Sequence, residues 1–425
     1  MSEILKEIFA LKGACSCGMV HESAIRDIRI GSGLVHQVGQ ILKENAFPKK
    51  LLLVADRNTL RAAEGILESL SDFEVECHVY DFIRVAEMHH VEELEEKVKG
   101  REIAILSVGT GSVNDPCRLA AARQNKLLCI FGTAPSMDGF ASYGAPIVAN
   151  GFKFSYDAKS PEVIIGDTKI LAEAPVNLKA AGFGDMIAKY VGLVDWEISH
   201  LLTGECFCPK VAKLTREAVD ELMGMADRVT VRDEYTAGKI FEALLKTGVG
   251  MSFMKNSRPA SGSEHVISHL MECKELQEGI IPNLHGDDIG VCTLEMLRYY
   301  GQLAEKAFIH AKKEEIDWEA IYSYYGPMRE DVVKVNEPEN IMDAVDPRAL
   351  EENWGEIRRI IQSVPDYETC RAAMEKAGCK LTVEDIGKQR DRFNGYVRYS
   401  PFMRKRLTLL RMNESILEFQ LEGAK

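Results

Sequence analysis

Nowhere in this chain of 425 residues does an uninterrupted apolar run reach about 18 residues, the length a membrane helix needs. Its first residues, MSEILKEIFALKGACSCG, lack the basic segment followed by an apolar one that marks a secretory signal. These absences lead to the expectation of a cytoplasmic protein without membrane insertion. Positive charge is also short, with 52 Lys and Arg against 65 Asp and Glu and a formal net charge of -13. Nucleic-acid and anionic lipid surfaces are gripped by clustered Lys and Arg, so no nucleic-acid partner is expected, although one local anion pocket remains open. No repeat and no low-complexity linker interrupts the sequence. The eleven cysteines lack the C-x2-C pairing of zinc knuckles. Most read as reduced and buried, as Cys129 in KLLCIFG and Cys292 in GVCTLEML suggest. Two C-x-C pairs stand apart, Cys15 with Cys17, followed by His21, and Cys206 with Cys208. For the first, metal binding or redox chemistry stands against reduced thiols near a turn, and the turn is the preferred reading.

What is present is an ordinary globular composition, 46% hydrophobic and 28% charged, in a chain long enough for two domains. Up to about residue 170, short apolar runs alternate with helical patterns. The strand candidates are Ala24 to Ile30, Lys50 to Ala55, Phe73 to Tyr80, Glu102 to Val108, Lys126 to Gly132 and Glu162 to Gly166. Amphipathic stretches such as Asn58 to Leu70 and Val91 to Lys99 lie between them. Continuous apolar runs separated by helices predict parallel strands covered on both faces. Beyond about Pro175 the strand signal stops and long helical periodicities follow, among them Lys179 to Leu201, Val211 to Val229, Tyr235 to Lys255, Gly262 to Leu276 and Asp288 to Lys312. The expected fold is an α/β N-terminal domain with a doubly wound, mostly parallel sheet over residues 1–172, then an all-α domain over 173–425. Ligand chemistry is expected in the cleft between them.

Three segments carry chemistry. After Val108 comes GTGSVNDPCRLAAARQ, where Gly109 and Gly111 permit a tight turn, Ser112 adds a hydroxyl and a helix is expected to begin near Asn114. N–H groups exposed at such a helix start bind pyrophosphate, although a strand-to-helix glycine turn is often only a turn. The third glycine of a dinucleotide fingerprint is missing, and the acid that would hold the ribose ends an earlier strand, Asp56 in LLLVADRNT. Asp56 either contacts the ribose, favouring NAD over NADP, or caps the next helix. Further on, FGTAPSMDGFASYG gathers Thr133, Ser136, Asp138 and Ser142 after a buried strand, hence at the carboxyl edge of a sheet. Here Asp138 either binds a substrate hydroxyl or forms a turn with Gly139. Last, SRPASGSEHVISHLMECKELQEGIIPNLHG sets His265 and His269 one helical turn apart and His285 beyond them, while GFGDMIAKY puts Asp185 on another helical pattern. One carboxylate and two imidazoles from separate helices suit a divalent cation with coordination positions left open. Lys189, four residues after Asp185, reads as its local ion-pair partner. Arg258 either holds a substrate phosphate bidentately or makes an interdomain structural ion pair.

In their order, VADRNT, GTGSVND, GTAPSMDGFAS, GFGDMIAKY, SRPASGSEH and NLHGDDIG resemble the iron-type alcohol dehydrogenase and dehydroquinate synthase superfamily, and within it the sn-glycerol-1-phosphate dehydrogenases. The resemblance spans nearly the whole chain. It implies a dehydroquinate synthase-like fold and reversible NAD(H)-linked reduction of dihydroxyacetone phosphate to sn-glycerol 1-phosphate, with one divalent cation as Lewis acid, zinc or nickel rather than iron. Asp185, His265 and His285 then correspond to the metal ligands, and Asp138 and His269 to substrate contacts that Asp185 also reaches. His269 or a water is the route for the proton. Asp56, the run Gly111, Ser112, Val113, Asn114 and Asp115, and Thr133 and Ser142 correspond to NAD contacts, and a homodimer is implied. One departure is Thr110 where many relatives carry glycine, since a Cβ there constrains the turn. A glycerol dehydrogenase or other short-ketone reductase of the superfamily is the first alternative, and a metal- and nucleotide-binding protein without turnover is the second.

Overall fold

A computed structural model describes residues 3–149 and 151–419. Six strands build one sheet: β1 (Asp27–Gly31), β2 (Lys50–Asp56), β3 (Glu74–Tyr80), β4 (Ala104–Gly109), β5 (Leu128–Gly132) and, after a separate hairpin of β6 (Gly144–Ala149) and β7 (Phe152–Asp157), β8 (Val163–Asp167). Their spatial order is β1-β8-β5-β4-β2-β3, with every neighbouring pair parallel. The apolar runs explain the arrangement. Leu52, Val54 and Ile105 pack into one core layer, and Leu51, Leu53, Ala55, Ala104, Leu106 and Val108 into the other. A strand buried on both faces has no polar side to expose, so helices cover the sheet above and below.

The connection from β2 runs outward to β3, whereas β4 continues in the opposite direction to β5. The topology therefore switches between β2 and β4, and a crevice opens beyond their carboxyl ends. Asp56 ends one of these strands and Gly109 the other, in adjacent register through Ala55 and Val108. An acid that precedes the glycine turn in sequence thus lies beside it in space.

Six helices carry or frame the cleft: α1 (Gly111–Arg123), α2 (Val176–Ile187), α3 (Lys189–Thr203), α4 (Glu234–Met254), α5 (Ser263–Gln277) and α6 (His285–Ala304). From Thr168 onward the described residues hold helices and a single isolated bridge, Ala311 to Ile416. Helix α4 is buried over most of its surface, with the charged side chains Lys239, Glu242 and Lys246 along one half-exposed stripe. Ile240, Ala243 and Leu244 join the core of the helical half, while Ala237, Phe241, Leu245 and Phe253 join the core beneath the sheet. None of the described helices is long and apolar enough to cross a membrane.

Several elements depart from expectation. The stretch Asn58 to Leu70 is two short helices, Arg57–Ala62 and Ile66–Ser69, because Gly65 at φ 94° breaks the turn. Helix α1 starts at Gly111 rather than near Asn114. The run from Lys179 to Leu201 is divided between α2 and α3 at Ala188. The β6–β7 hairpin and a small one joining Gly13–Ala14 to Val20–His21 were not anticipated.

Candidate active site

A cavity of about 290 Å³ lies between the carboxyl edge of the sheet and the helical half. Gly111, Ser112 and Asp138 line it from one side, and His265, His269 and His285 from the other. Close helix contact sets this geometry. A Cβ on Gly286 would stand 1.8 Å from Ala181 O, and one on Gly182 would stand 1.9 Å from Pro135 O. Only glycine lets α2 press against α6 on one flank and against the loop after β5 on the other. Those two crossings carry His285 into the cleft and set Asp185 just behind its wall.

Asp185 is fully buried. Its Oδ2 accepts the Asp138 N–H at 2.9 Å, and its Oδ1 accepts from Lys189 Nζ at 2.7 Å. The same ammonium stands 2.7 Å from Asp138 Oδ2, so Lys189 ties the sheet-edge loop to α2. Burial pushes the Asp185 carboxyl up, but Lys189, His285 and His265 outweigh it and hold it below its ordinary value. Burial likewise works against the Lys189 charge, and the two carboxylates overcome it. Lys189 is locked in its charged form between them and has no free base to offer.

Asp185, His265 and His285 each bring a ligand atom within 4.8 Å of the others. His265 Nε2 lies 3.8 Å from Asp185 Oδ1, beyond hydrogen-bond reach. Each imidazole turns Nδ1 toward a glutamate, His265 to Glu264 at 2.6 Å and His285 to Glu272 at 3.6 Å. That leaves Nε2 as the donor nitrogen, the arrangement in which a carboxylate orients a metal-binding histidine. At 3.6 Å the His285 Nδ1 is a buried nitrogen without a hydrogen-bond partner. One carboxylate and two imidazoles, held by outer glutamates, fit a divalent cation. Burial, then Lys189, keeps His265 well below its ordinary pKa and therefore neutral, as a ligand must be. Burial raises Glu264 to about 7. For Glu272, burial is outweighed by Lys153 and His285, which bring it to about 2. His269 is one turn along α5, with its ring centroid 5.9 Å from that of His285. Burial and the nearby cations of Lys153 and Arg404 keep it neutral as well.

At the glycine turn, Gly111, Ser112 and Asp115 line the cavity, as does Ser142. The first N–H groups of α1 have no intrahelical acceptor and face this space. Thr110 has φ -125°, an extended conformation any residue adopts, so its Cβ causes no strain. The steric demand falls on Gly109, whose Cβ would meet Val113 Cβ at 2.9 Å. Val113 and Asn114, expected among the cofactor contacts, are turned away from the cavity. Their N–H groups both donate to Thr110 O, Val113 is in the core, and the Asn114 amide is tied to Ser107 and Gly109. Neither lines the cavity. Thr133 is buried beside Gly109, to whose carbonyl its N–H donates at 3.3 Å, and it too is off the cavity wall. Asp56 caps the helix after β2, with Oδ1 accepting from Thr59 N at 2.8 Å. Its other oxygen is outside that bond. Arg118, which no motif signalled, is fully buried and ties Asp115 to Ser142 and Gly144 O.

Arg258 is engaged elsewhere. Its guanidinium is committed to Glu205 (Nε to Oε1 at 2.8 Å), Leu407 O (2.8 Å) and Ser199 Oγ (3.1 Å), and it does not line the cavity. The ion pair it makes lies within the helical half, not between the domains as the alternative reading had it. The cations that do line the cleft are Lys153 on β7, Arg84 and Arg404. Arg404 lies on a C-terminal segment that crosses the helical half. Its Nη2 is 3.4 Å from His269 Nδ1, Arg406 donates to Ser257 Oγ and Ser261 O, and Leu409 N donates to Asp195. No motif singled out Glu264, Glu272, Lys153 or Arg404. The glutamates had a weak signal, standing one residue before His265 and three after His269. The cations sit in segments without a motif.

Comparison with known proteins agrees with this construction. Residues 29–175 match the iron-containing alcohol dehydrogenase family. A glycerol-1-phosphate dehydrogenase (NAD(P)+) of Bacillus licheniformis is 33% identical over 311 residues, which is 71% of this chain and 77% of that protein. One of Methanosarcina mazei is 34% identical over 280 residues, covering 65% of this chain and 77% of that one. Among solved structures, the NADH-dependent butanol dehydrogenase A of Thermotoga maritima superimposes with a TM-score of 0.61 at 15% identity, over 96% of each chain. A parallel sheet switching between an acid-ended and a glycine-ended strand, facing a helical half with a carboxylate–imidazole trio, places the site; the shared third of the residues over most of such relatives shows that this chain, an NAD(P)-linked oxidoreductase acting on a small ketone or polyol, belongs to the glycerol-1-phosphate dehydrogenases within the iron-containing alcohol dehydrogenase family.

Proposed function

We propose that the cleft reduces dihydroxyacetone phosphate to sn-glycerol 1-phosphate, reversibly, with a nicotinamide dinucleotide on the sheet side and one zinc or nickel ion held by Asp185, His265 and His285. The observation that carries this reading is the convergence of those three ligand atoms within 4.8 Å, across the cleft from the glycine turn. When bound, the cation supplies Lewis-acid stabilisation of a developing alkoxide and the nicotinamide supplies the hydride.

The chain's own residues do the rest. The start of α1 receives the pyrophosphate on the N–H groups of Gly111 and Ser112. The Asp56 oxygen outside the helix cap accepts from a ribose hydroxyl, which disfavours a 2′-phosphate and sets a preference for NAD. Glu264 orients His265 through its Nδ1, and Glu272 faces Nδ1 of His285. Asp138, steadied by Lys189, contacts a substrate hydroxyl. His269, kept neutral by burial, is the group through which a proton reaches the product oxygen. Arg404, with Lys153, takes the substrate phosphate in place of Arg258, because these are charged groups on the cleft wall beside His269. Nucleotide binding is assigned to residues 1–172, and metal and most substrate contacts to 173–425.

The experiment is NADH oxidation with dihydroxyacetone phosphate and, separately, dihydroxyacetone, after chelation and again after adding zinc or nickel, with the product enantiomer determined. Activity is expected to vanish on chelation and return with metal, and the phosphorylated ketone to be preferred. Losing a charge-assisted hydrogen bond of about 1.5–3 kcal/mol, Arg404→Ala raises KM for dihydroxyacetone phosphate roughly ten- to a hundred-fold and leaves dihydroxyacetone unaffected. Arg258→Ala lowers stability without changing the ratio of the two substrates. Equal turnover of the two ketones by the wild type would sink the phosphate assignment, and chelation without effect would sink the metal.

A further inference from the structure

A second set of metal-binding side chains gathers off the cleft. Cys15, Cys17, His21 and Cys208 bring one ligand atom each within 4.8 Å of one another, and none of the four lines the catalytic cavity. The sequence does not display the set, because Cys208 is 193 residues from Cys15 and neither pair has knuckle spacing. The fold assembles it. Gly13–Ala14 pairs antiparallel with Val20–His21, and the turn between them carries both thiols. It closes through Cys15 N to Met19 O at 3.0 Å and Gly18 N to Cys15 O at 3.0 Å, with Gly18 at φ 86°. Cys208 meets the hairpin from the other half of the molecule, at the N-cap of the helix Pro209–Met223.

The distances are those of a coordination shell. Cys15 Sγ and Cys208 Sγ are 3.8 Å apart, and Cys17 Sγ is 3.6 Å from His21 Nε2. A tetrahedral zinc with bonds of about 2.3 Å to sulfur and about 2.0–2.1 Å to nitrogen spaces its ligands by roughly 3.8 Å for two sulfurs and roughly 3.6 Å for sulfur and nitrogen. A disulfide needs its sulfurs at about 2.05 Å. The histidine is already oriented. Its Nδ1 lies 3.1 Å from Leu11 O, and since a carbonyl only accepts, Nδ1 carries the proton and Nε2 presents its lone pair toward the thiols. The ring is buried and stacked on Phe253, with centroids 5.0 Å apart and planes inclined by 11°.

We propose that Cys15, Cys17, His21 and Cys208 form a closed Cys3His zinc site that fastens the N-terminal hairpin to the helical half. Four protein ligands leave no open position, so the site is structural and separate from the catalytic cation. Binding releases the three thiol protons and leaves three thiolates and one neutral imidazole on the metal. The Cys17 N–H above all brings the Cys15 thiol down to about 7, while burial pushes Cys208 up to about 12, a penalty that coordination removes. The fifth nearby thiol, Cys206, is exposed and directed at Cys17 O at 3.5 Å, outside the set.

The test uses the full chain carrying His285→Ala, which removes the residue common to the Asp185–His265–His285 and His269–Glu272–His285 groups, so that the cleft no longer retains a cation. Elemental analysis of this protein, purified without chelator, should find about one zinc per chain. After stripping, a cobalt(II) titration should saturate at about one equivalent with a sulfur-to-cobalt charge-transfer absorption. Cys15→Ser and Cys208→Ser should lose that band and Cys206→Ser should keep it. Circular dichroism identifies any variant that fails to fold, and a second pair covers that case: His21→Cys should still hold zinc, and His21→Gln should not. No zinc in the purified protein together with no thiolate band overturns the proposal, as does a band that survives Cys208→Ser. A chain two hydrogens lighter that binds no cobalt would instead mean a Cys15–Cys208 disulfide, and also overturns it.

Discussion

Asp195 on α3 accepts hydrogen bonds from Ser263 N at 2.8 Å, Leu409 N at 2.8 Å and Tyr300 Oη at 3.0 Å, joining the start of α5, the end of α6 and the segment around Leu409. Burial, only partly offset by those donors, raises it from 3.8 to about 6. A carboxyl with a raised folded pKa stabilises the fold while protonated. That contribution is complete below the unfolded value and is lost as pH rises through about 6, an effect on the order of 3 kcal/mol. Asp195→Asn removes the titration but turns an amide N–H toward a backbone donor, at a cost of about 1–3 kcal/mol. Urea unfolding at about pH 4.5 and about pH 7 should find the variant less stable than wild type at the lower pH, and its fall in stability between the two smaller than that of the wild type, the remaining fall coming from other buried carboxyls such as Glu264. At this scale the sequence displayed what chemistry alone marks. Asp185, His265 and His285 were visible because few other roles gather an acid and two histidines in adjacent motifs. Arg258 was not assignable, because its partner Glu205 is 53 residues away and only the fold brings them together.

At the scale of elements, the crossing of α2 and α6 determines whether the ligands meet. Gly286→Ala drives a methyl into Ala181 O, a backbone atom that cannot rotate away. The helices must separate, at about 1–3 kcal/mol or more for overpacking. The expected outcome is a lower unfolding temperature together with loss of bound catalytic metal, measured by calorimetry and elemental analysis. Full metal occupancy in a stable variant would show that the close crossing does not set the ligand geometry. The strands of the sheet were legible because burial on both faces leaves continuous apolar runs. The β6–β7 hairpin was not, since GAPIVA and FKFSYD mix buried and half-exposed positions and begin with glycine or interpose lysine. The helix break at Ala188 was hidden too, because periodicity continues through it, whereas the break at Gly65 was marked only by a glycine that an amphipathic pattern can also tolerate.

For the whole molecule, the cleft is shared between the two halves, so a ligand in it stabilises both. NADH at a hundred times its dissociation constant should raise the unfolding free energy by about 2.7 kcal/mol. A thermal shift in the metal-loaded protein checks this, and an unchanged transition would remove the cofactor from the cleft. The doubly wound sheet followed from the alternation of apolar runs and helical patterns, whereas its strand order and switch point, and the path of the chain after α6, did not, since pairing between distant strands and helices without a motif leaves no local signal. That path has a consequence for biosynthesis. Arg404 faces the cleft, Leu407 anchors Arg258 and Leu409 anchors Asp195. A nascent chain therefore completes its sheet, its glycine turn and the trio of Asp185, His265 and His285 well before it owns the residues that hold these parts in place. The cleft is finished only when a segment made long after its walls folds back onto them.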